Sequence, residues 1–351
     1  MTQLSDYDYN LPTELIAQYP MRNRADARLM VVCRETGTIE HLHVRDLPSL
    51  LRVNDCLVLN NTKVLQARLC GKRTKTGGHW EGLFIEHDGH RLWKVMTKTR
   101  GTPTVGETID LETSEGRVGF KLELAAKMDN GYWVVKPLID DDEDTWSALE
   151  RVGWTPIPPY IRGGKMLPSD RENYQTVFAS KPGAIAAPTA GLHFTPQLLQ
   201  QIREQGVTLC PVTLHVGVGT FKPISVERIE DHVMHIEHAV IKEKSVETIQ
   251  RCKQAGGRTI AVGTTSVRVL ESAVARDGQL QPFDGTTNLF IRPPYNFKTV
   301  DALMTNFHFP KSTLLIMVRQ FGGDELIRAA YEEAIREQYR FFSFGDAMLI
   351  V

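Results

Sequence analysis

The sequence predicts a mixed α/β protein, with an α/β main domain interrupted by a small antiparallel β domain. Three observations predict it. Apolar strand-like runs alternate with capped helical stripes over residues 151–351 and, more briefly, over 1–63. Between them, over 64–150, turn pairs recur with almost no helical pattern. The length, 351 residues, also suits two domains of roughly 150 residues each. The expected division is 1–63 plus 151–351 for the α/β part and 64–150 for the insertion.

Each element has a local reason. Leu29–Cys33 and Thr38–His43 flank a Glu35-Thr36-Gly37 turn and predict a hairpin. Asp46 is placed to cap a short helix carrying Leu47, Leu50 and Leu51. Cys56–Leu59 reads as a short buried strand ending in Asn60-Asn61-Thr62-Lys63. Gly77-Gly78, Asp88-Gly89, Glu115-Gly116 and Asn130-Gly131 then punctuate runs at Gly82–Ile85, Leu92–Met96, Val118–Leu124 and Tyr132–Val135, the pattern of a small barrel or sandwich. The acidic run Asp140–Asp144 precedes a helix at Trp146–Leu149. Thr195 as N-cap with Pro196 starts a helix that Gly206 stops. Ser245 starts a second, ended by Gly256-Gly257. Thr259–Val262 is a strand, Ser266–Ala275 a helix, Asp324 caps a helix to about Gln338, and Ala347–Val351 is a closing strand.

Composition narrows the function classes. With 41 Lys+Arg against 42 Asp+Glu, nucleic-acid binding would need a local basic patch. Lys63, Arg68, Lys72, Arg73 and Lys75, and also Arg91, Lys94, Lys98 and Arg100, cluster in sequence. Five scattered cysteines without a CxxC pair suggest free thiols in a reducing compartment. No secretory pattern opens the chain and no apolar run approaches the ~18 residues of a membrane span, so a cytoplasmic protein with no membrane partner is expected.

Five segments carry candidate chemistry. Ala187–Thr195 is a loop of small residues feeding a capped helix, with Thr189 and Gly191 suited to close ligand approach and His193 to acid–base work. In Thr213–Phe221, alternation puts Thr213 and His215 on one face, and Gly217 and Gly219 suit a bulge or a strand pressed on a ligand; Pro223 and the missing helix rule out a dinucleotide fingerprint. His232, His235 and His238, near Asp231 and Glu237, invite a metal reading, but steps of three do not reproduce the four-residue spacing of HExxH, and no metal is expected. In Val262–Ser272 a strand runs through Gly263-Thr264-Thr265-Ser266 into a helix carrying Arg268, an arrangement that suits a carboxylate or phosphate. In Thr305–Thr313, Asn306, Phe307, His308 and Lys311 suit a heterocycle with a phosphate close by, and Tyr295 is a further stacking candidate.

Taken together the motifs resemble one family, the S-adenosylmethionine:tRNA ribosyltransferase-isomerases of queuosine biosynthesis. The matching residues are Tyr9-Asn10-Leu11-Pro12, Ile16–Pro20, Asn60–Val64, Ala67–Leu69, Pro159–Ile161 and Tyr174–Ala179. They continue through Ala186–Thr195, Thr213–Phe221, His232–Glu237, Val262–Ser272, Thr305–Leu315 and Tyr339–Ile350. Arg292-Pro293-Pro294-Tyr295 departs from the family's usual Pro-Gly-Tyr. The resemblance implies a barrel for the inserted domain. It also implies S-adenosyl-L-methionine as a ribosyl-donating substrate, and a tRNA partner carrying 7-aminomethyl-7-deazaguanine at the wobble position. Epoxyqueuosine-tRNA, adenine and methionine would be the products.

That chemistry needs a base at the carbon next to the sulfonium, a proton for adenine and a neutral amine nucleophile. His193 and His215 are the first candidates, with His235 and His308 behind them. Thr264, Thr265, Ser266 and Arg268 are candidates for the methionine carboxylate or an RNA phosphate, and Phe194 and Phe307 for stacking. Lys63, Arg68 and Lys311 are expected tRNA contacts. A monomer and a homodimer both remain open. A non-catalytic RNA-binding protein and a metal-dependent hydrolase built on His232, His235 and Asp231 are the competing readings.

Overall fold

The structure is a computed structural model and describes residues 2–89, 91–129, 131–217, 219 and 224–351. Val218, Thr220 and Phe221 of the second candidate segment lie outside the described residues, as do Pro223 and Asn130.

Along the chain, β1 (Arg28–Val32) and β2 (Ile39–His43) form the expected hairpin, with Val32 opposite Ile39 and Gly37 at φ 69° in the turn. A four-residue α1 (Leu47–Leu50) leads to β3 (Cys56–Asn60). Asp46 does not cap α1. It sits in helical geometry itself and accepts from the His43 N–H at 2.9 Å, because a 3-10 turn at Val44–Asp46 already precedes the helix.

β4 (Thr62–Val64) is followed by β5 (Arg68–Arg73), β6 (His79–His87), β7 (Trp93–Thr99), β8 (Thr108–Glu112), β9 (Val118–Lys127) and β10 (Trp133–Leu138). The last six close into a barrel in the order β10-β7-β6-β5-β8-β9, so the barrel alternative holds over the sandwich. β5 and β8 were not separable in the sequence, since their polar-rich alternation carries weak strand signals. Trp80, Phe84, Trp93, Ile109, Leu111 and Leu122 point inward and are buried, leaving the alternate positions outside.

α2 (Thr145–Val152) is capped by Asp144, whose Oδ1 accepts from the N–H groups of Trp146 and Ser147. α3 (Asp170–Asn173) and β11 (Lys181–Ala184) follow. By backbone proximity the chain divides into two compact units. One holds 1–63, 175–181 and 187–351, and the other holds 64–174 and 182–186. The stretch 151–174, expected with the α/β part, therefore groups with the barrel. Its strand-like pairing of Trp154 with Arg68 is the local reason.

α4 (Pro196–Glu204) starts at the Thr195 cap, where Oγ1 accepts from Leu198 N at 3.1 Å. Then come β12 (Thr208–His215), β13 (Glu237–Ile241), α5 (Glu243–Gln254), β14 (Thr259–Val262), α6 (Thr264–Ser272), β15 (Phe283–Thr287), β16 (Ala302–Asn306), α7 (Thr313–Gly322), α8 (Asp324–Arg336) and β17 (Ala347–Ile350). Ser245 is inside α5, not at its start: its hydroxyl donates to the Pro211 carbonyl.

The large sheet has nine strands in the order β15-β13-β12-β3-β14-β16-β17-β1-β2. Its centre, β12-β3-β14-β16, is parallel. Leu57, Leu59, Ile260, Val262, Ala302 and Met304 pack on α4 through Leu198, Leu199 and Ile202. α5 and α6 cover the other face. Burial on both faces explains why β3, β14 and β16 read as continuous apolar runs.

Candidate active site at the carboxyl edge of the parallel strands

Four parallel strands finish side by side, and their ends carry the polar residues. β3 ends in Asn60 and is followed by Asn61-Thr62, Val216-Gly217 follows His215 of β12, Gly263-Thr264 follows β14, and β16 ends in Asn306. Ligand crevices of open α/β sheets form outside such ends.

The 3-10 turn Thr189–His193 lies against β16. Thr189 Oγ1 donates to Asn306 Oδ1 at 2.8 Å, and Asn306 Nδ2 donates to the Phe342 carbonyl and to His193 Nε2, both at 3.2 Å. His193 therefore carries its proton on Nδ1. Burial holds its pKa down at about 4, with the Arg340 and Arg24 cations adding to the effect, so the ring is neutral at pH 7. Gly191 belongs in this turn for a packing reason: a Cβ there would meet Phe178 Cζ at 2.8 Å and Thr176 Cγ2 at 2.9 Å.

His215 is half-buried. Its Nδ1 pairs with Thr62 Oγ1 at 2.8 Å, and its ring stacks on His238 with centroids 6.2 Å apart. Burial, then the charge of His238, lowers its pKa. Nε2 has no partner among the described residues. Asn60 and Asn61 build the strut beneath it: Asn60 Oδ1 accepts from the N–H groups of Thr62 and Leu214, and Thr213 Oγ1 donates to Asn61 Oδ1 at 2.7 Å. Sequence reasoning missed this strut, although three polar residues ending a buried strand were its signal.

Several expected roles are corrected. Phe194 is fully buried in the sheet core, and Phe307 is fully buried among Tyr331, Tyr339 and Phe341, so neither offers a face for stacking. Ser266 is buried and donates to the Val262 carbonyl at the end of β14. Arg268 is buried and paired with Glu237, so it is not available to a substrate anion. Glu237 in turn accepts from Gly217 N at 3.1 Å, which makes this pair a brace on the segment after β12. His308 is buried with a pKa held down at about 3, Nε2 bonded to Thr305 Oγ1 and the backbone N–H donated to Tyr331. It is a structural histidine. Arg68 is paired with Glu81 and Lys311 with Asp8, while Lys63 is exposed. Lys72, Arg73, Arg91 and Lys94 are likewise ion-paired, so most of the basic run is neutralised locally.

Thr264 is buried and Thr265 partly so, at the open first turn of α6, where Gly263 adopts φ 86° to turn strand into helix. Gly217 has open space where a Cβ would stand, among the described residues, whereas Gly219 abuts the exposed His235 ring. His232 packs edge-on to Phe290 at 5.4 Å. Among the described residues no three His, Cys, Asp or Glu side chains gather as a metal-ligand set. Tyr295 is turned inward, its hydroxyl donating to Glu271 at 3.0 Å. One ring the sequence did not single out is Phe309, 39% exposed at this edge and stacked on Phe342 at 3.6 Å between centroids.

Known proteins match this chain over nearly its whole length. The family model described as "Queuosine biosynthesis protein" matches residues 4–350. The S-adenosylmethionine:tRNA ribosyltransferase-isomerases of Trichlorobacter lovleyi and Geotalea uraniireducens are each 46% identical, over 99% of this chain and 99% of theirs. The enzyme of the same name from Desulforamulus reducens is 44% identical over 99% of this chain and all of its own. The crystal structure of an S-adenosylmethionine tRNA ribosyltransferase from Thermotoga maritima superposes with a TM-score of 0.56 at 34% identity, covering 99% of this chain and 100% of that one.

Proposed function

This chain belongs to the queuosine biosynthesis protein family, and from that membership and the strand-edge site we propose how it works. It is an S-adenosylmethionine-dependent tRNA ribosyltransferase-isomerase. In our reading the acceptor is 7-aminomethyl-7-deazaguanine at the tRNA wobble position. The ribosyl part of S-adenosylmethionine moves to it and rearranges, leaving epoxyqueuosine-tRNA, adenine and methionine. The reaction is placed in the cytoplasm with its tRNA.

The observation that carries the residue assignment is the unpartnered Nε2 of His215 at the edge where four strands end. A neutral imidazole with one nitrogen anchored and the other open suits proton transfer. Thr62 Oγ1 lies 3.5 Å from the Lys181 carbonyl and 2.8 Å from His215. When Thr62 donates to that carbonyl it accepts from Nδ1–H, and Nε2 is then the base for the carbon next to the sulfonium. Once Nε2 has taken that proton the ring is an imidazolium, Nδ1–H still donates to Thr62, and Nε2–H becomes the acid. Such a group contributes ~10²–10⁴-fold to rate.

His193 has its Nε2 engaged and stays neutral, so its role is to orient Asn306 and to offer Nδ1–H as a donor. The N–H groups of Thr264 and Thr265 at the start of α6 suit the methionine carboxylate. Phe309 takes the stacking role first given to Phe194 and Phe307. Lys63 is retained as an RNA contact.

The test is adenine release, measured by chromatography with mass detection. The protein is mixed with S-adenosylmethionine and tRNA bearing 7-aminomethyl-7-deazaguanine, beside a control tRNA bearing guanine. Adenine and methionine are expected only with the modified tRNA. A folded protein that binds tRNA and releases no adenine would overturn the reading in favour of a non-catalytic RNA-binding protein.

A further inference from the structure

His215 is the inner member of a row of three titratable side chains that crosses β12, β13 and β15. In the antiparallel β12–β13 pair it lies directly opposite His238. On the next strand His238 lies opposite Thr286, and Asp284 is two residues along, a diagonal neighbour on the same face. The side chains follow this register. The two rings are near-parallel, with planes 12° apart and centroids at 6.2 Å, and His238 Nε2 meets Asp284 Oδ1 at 3.0 Å. Thr62 Oγ1 holds His215 Nδ1 from the other side. The His238 and Asp284 side chains are 48% and 74% exposed, so the row runs from a half-buried ring out to water.

An exposed ion pair of this kind adds little stability. What the row does is partition protons. Two imidazolium rings at this spacing repel each other, so the pair favours one proton over two. The carboxylate bonded to His238 stabilises the cation on that ring, and the ring left neutral is His215. The lowered pKa of His215, caused by burial first and the charge of His238 second, has the same sign.

The other charged groups on the elements packed against these rings are engaged elsewhere or exposed. Glu237 of β13 and Arg268 of α6 pair with each other. Glu271 of α6 accepts from the Tyr295 hydroxyl and from the N–H groups of Lys298 and Thr299. Lys63 of β4, Lys181 of β11 and the charged side chains of α4 and α5 are exposed.

We infer that His238, held by Asp284, is a positioning residue that keeps His215 neutral and ready to accept a proton. This rests on the role proposed above for His215. His238 acts through the charge of the neighbouring ring, without touching substrate.

The test uses the full chain and the variants His238→Gln, His238→Lys and Asp284→Asn. Histidine-ring NMR follows the titration of His215 without substrate, its signal assigned by its loss in His215→Ala. The pH profile of single-turnover adenine release is the second readout. His238→Gln removes the neighbouring cation, so the His215 midpoint should rise by about half a pH unit or more. The acid limb of adenine release should rise with it, so the loss of rate is largest near pH ~6 and shrinks toward pH ~8. His238→Lys keeps a cation and should leave the midpoint at or below that of wild type. Asp284→Asn loosens the proton on His238 and should raise the midpoint by a smaller step. In ~1 M salt these differences should shrink. Substrate affinities and the melting temperature should stay at wild-type values, so a purely structural role would not reproduce the pattern. The inference is overturned if the His215 midpoint in His238→Gln stays at or below that of wild type, or if the Gln and Lys variants move it alike. A midpoint that moves as expected while adenine release does not follow it supports the charge coupling and overturns the assignment of His215 as the base.

Discussion

In the barrel unit, buried charge is matched within the fold. Arg162 meets Asp170 at 2.6 Å with both side chains buried, Arg73 forks onto Glu107, and Thr155 donates to Gln66 at 3.0 Å. Among the described residues, Trp80 Nε1 is the only unpartnered buried atom there. At the carboxyl edge of the large sheet the pattern is the reverse. His215 keeps a nitrogen open, and Thr176, Thr265 and Arg340 keep polar atoms without partners. Saturated polar networks specify a scaffold, whereas unused hydrogen-bonding capacity inside a fold costs stability. The contrast also runs through single side chains. Arg268 and His308 are buried and held by protein partners, Glu237 and Thr305, and they serve structure beside the site.

Three experiments press on this difference. The largest expected effect is on rate at the open edge: His215→Ala should lower single-turnover adenine release by ~10²–10⁴-fold while leaving the urea midpoint within a small shift. Release within threefold of wild type would remove His215 from the chemistry.

In the barrel, Asp170→Ala should act on stability instead. It strands Arg162 in a buried position, at a cost of about 3–5 kcal/mol, read from urea unfolding. A variant as stable as wild type would mean that the pair is not the closed network described here.

The smallest effect concerns the neutral histidines of the edge. His193 and His308 have folded pKa values of about 4 and about 3, below the ordinary 6.5. The unfolded chain therefore takes up protons first as pH falls. Their contribution is full above pH 6.5 and is lost progressively below it, by up to about 1.4 kcal/mol per pH unit for each ring. Urea midpoints measured between pH 7 and 5 should decline accordingly, and a flat profile would contradict burial of the neutral rings.

Much of the fold was legible because its signals are local. Gly37, Gly77, Gly89 and Gly116 all take positive φ at the turns where their sequence neighbours placed them. The Thr195-Pro196 start and the Gly206 stop of α4 needed only capping chemistry. Failures came where a side chain's partner is distant in sequence. Arg268 looked like a free cation beside a strand-end turn because Glu237, 31 residues away, is invisible as a partner. Phe194 and Phe307 looked like stacking rings because an aromatic beside a histidine reads the same whether it faces a ligand or the core. Phe309, two residues after Phe307, is the ring left at the surface.

By itself, then, the sequence determined the alternation of strands and helices, the inserted β region, the family, and the histidines worth testing. Each of these follows from backbone propensity, periodicity or a contiguous motif, which are set within a few residues. Tertiary structure alone decided that Nε2 of His215 is open while His193 and His308 are engaged, that Arg268 is neutralised, and that Thr176 packs against Gly191. Those are matters of burial and of hydrogen-bond partners brought together from positions up to hundreds of residues apart. The free energy of a polar group depends on whether those partners are present.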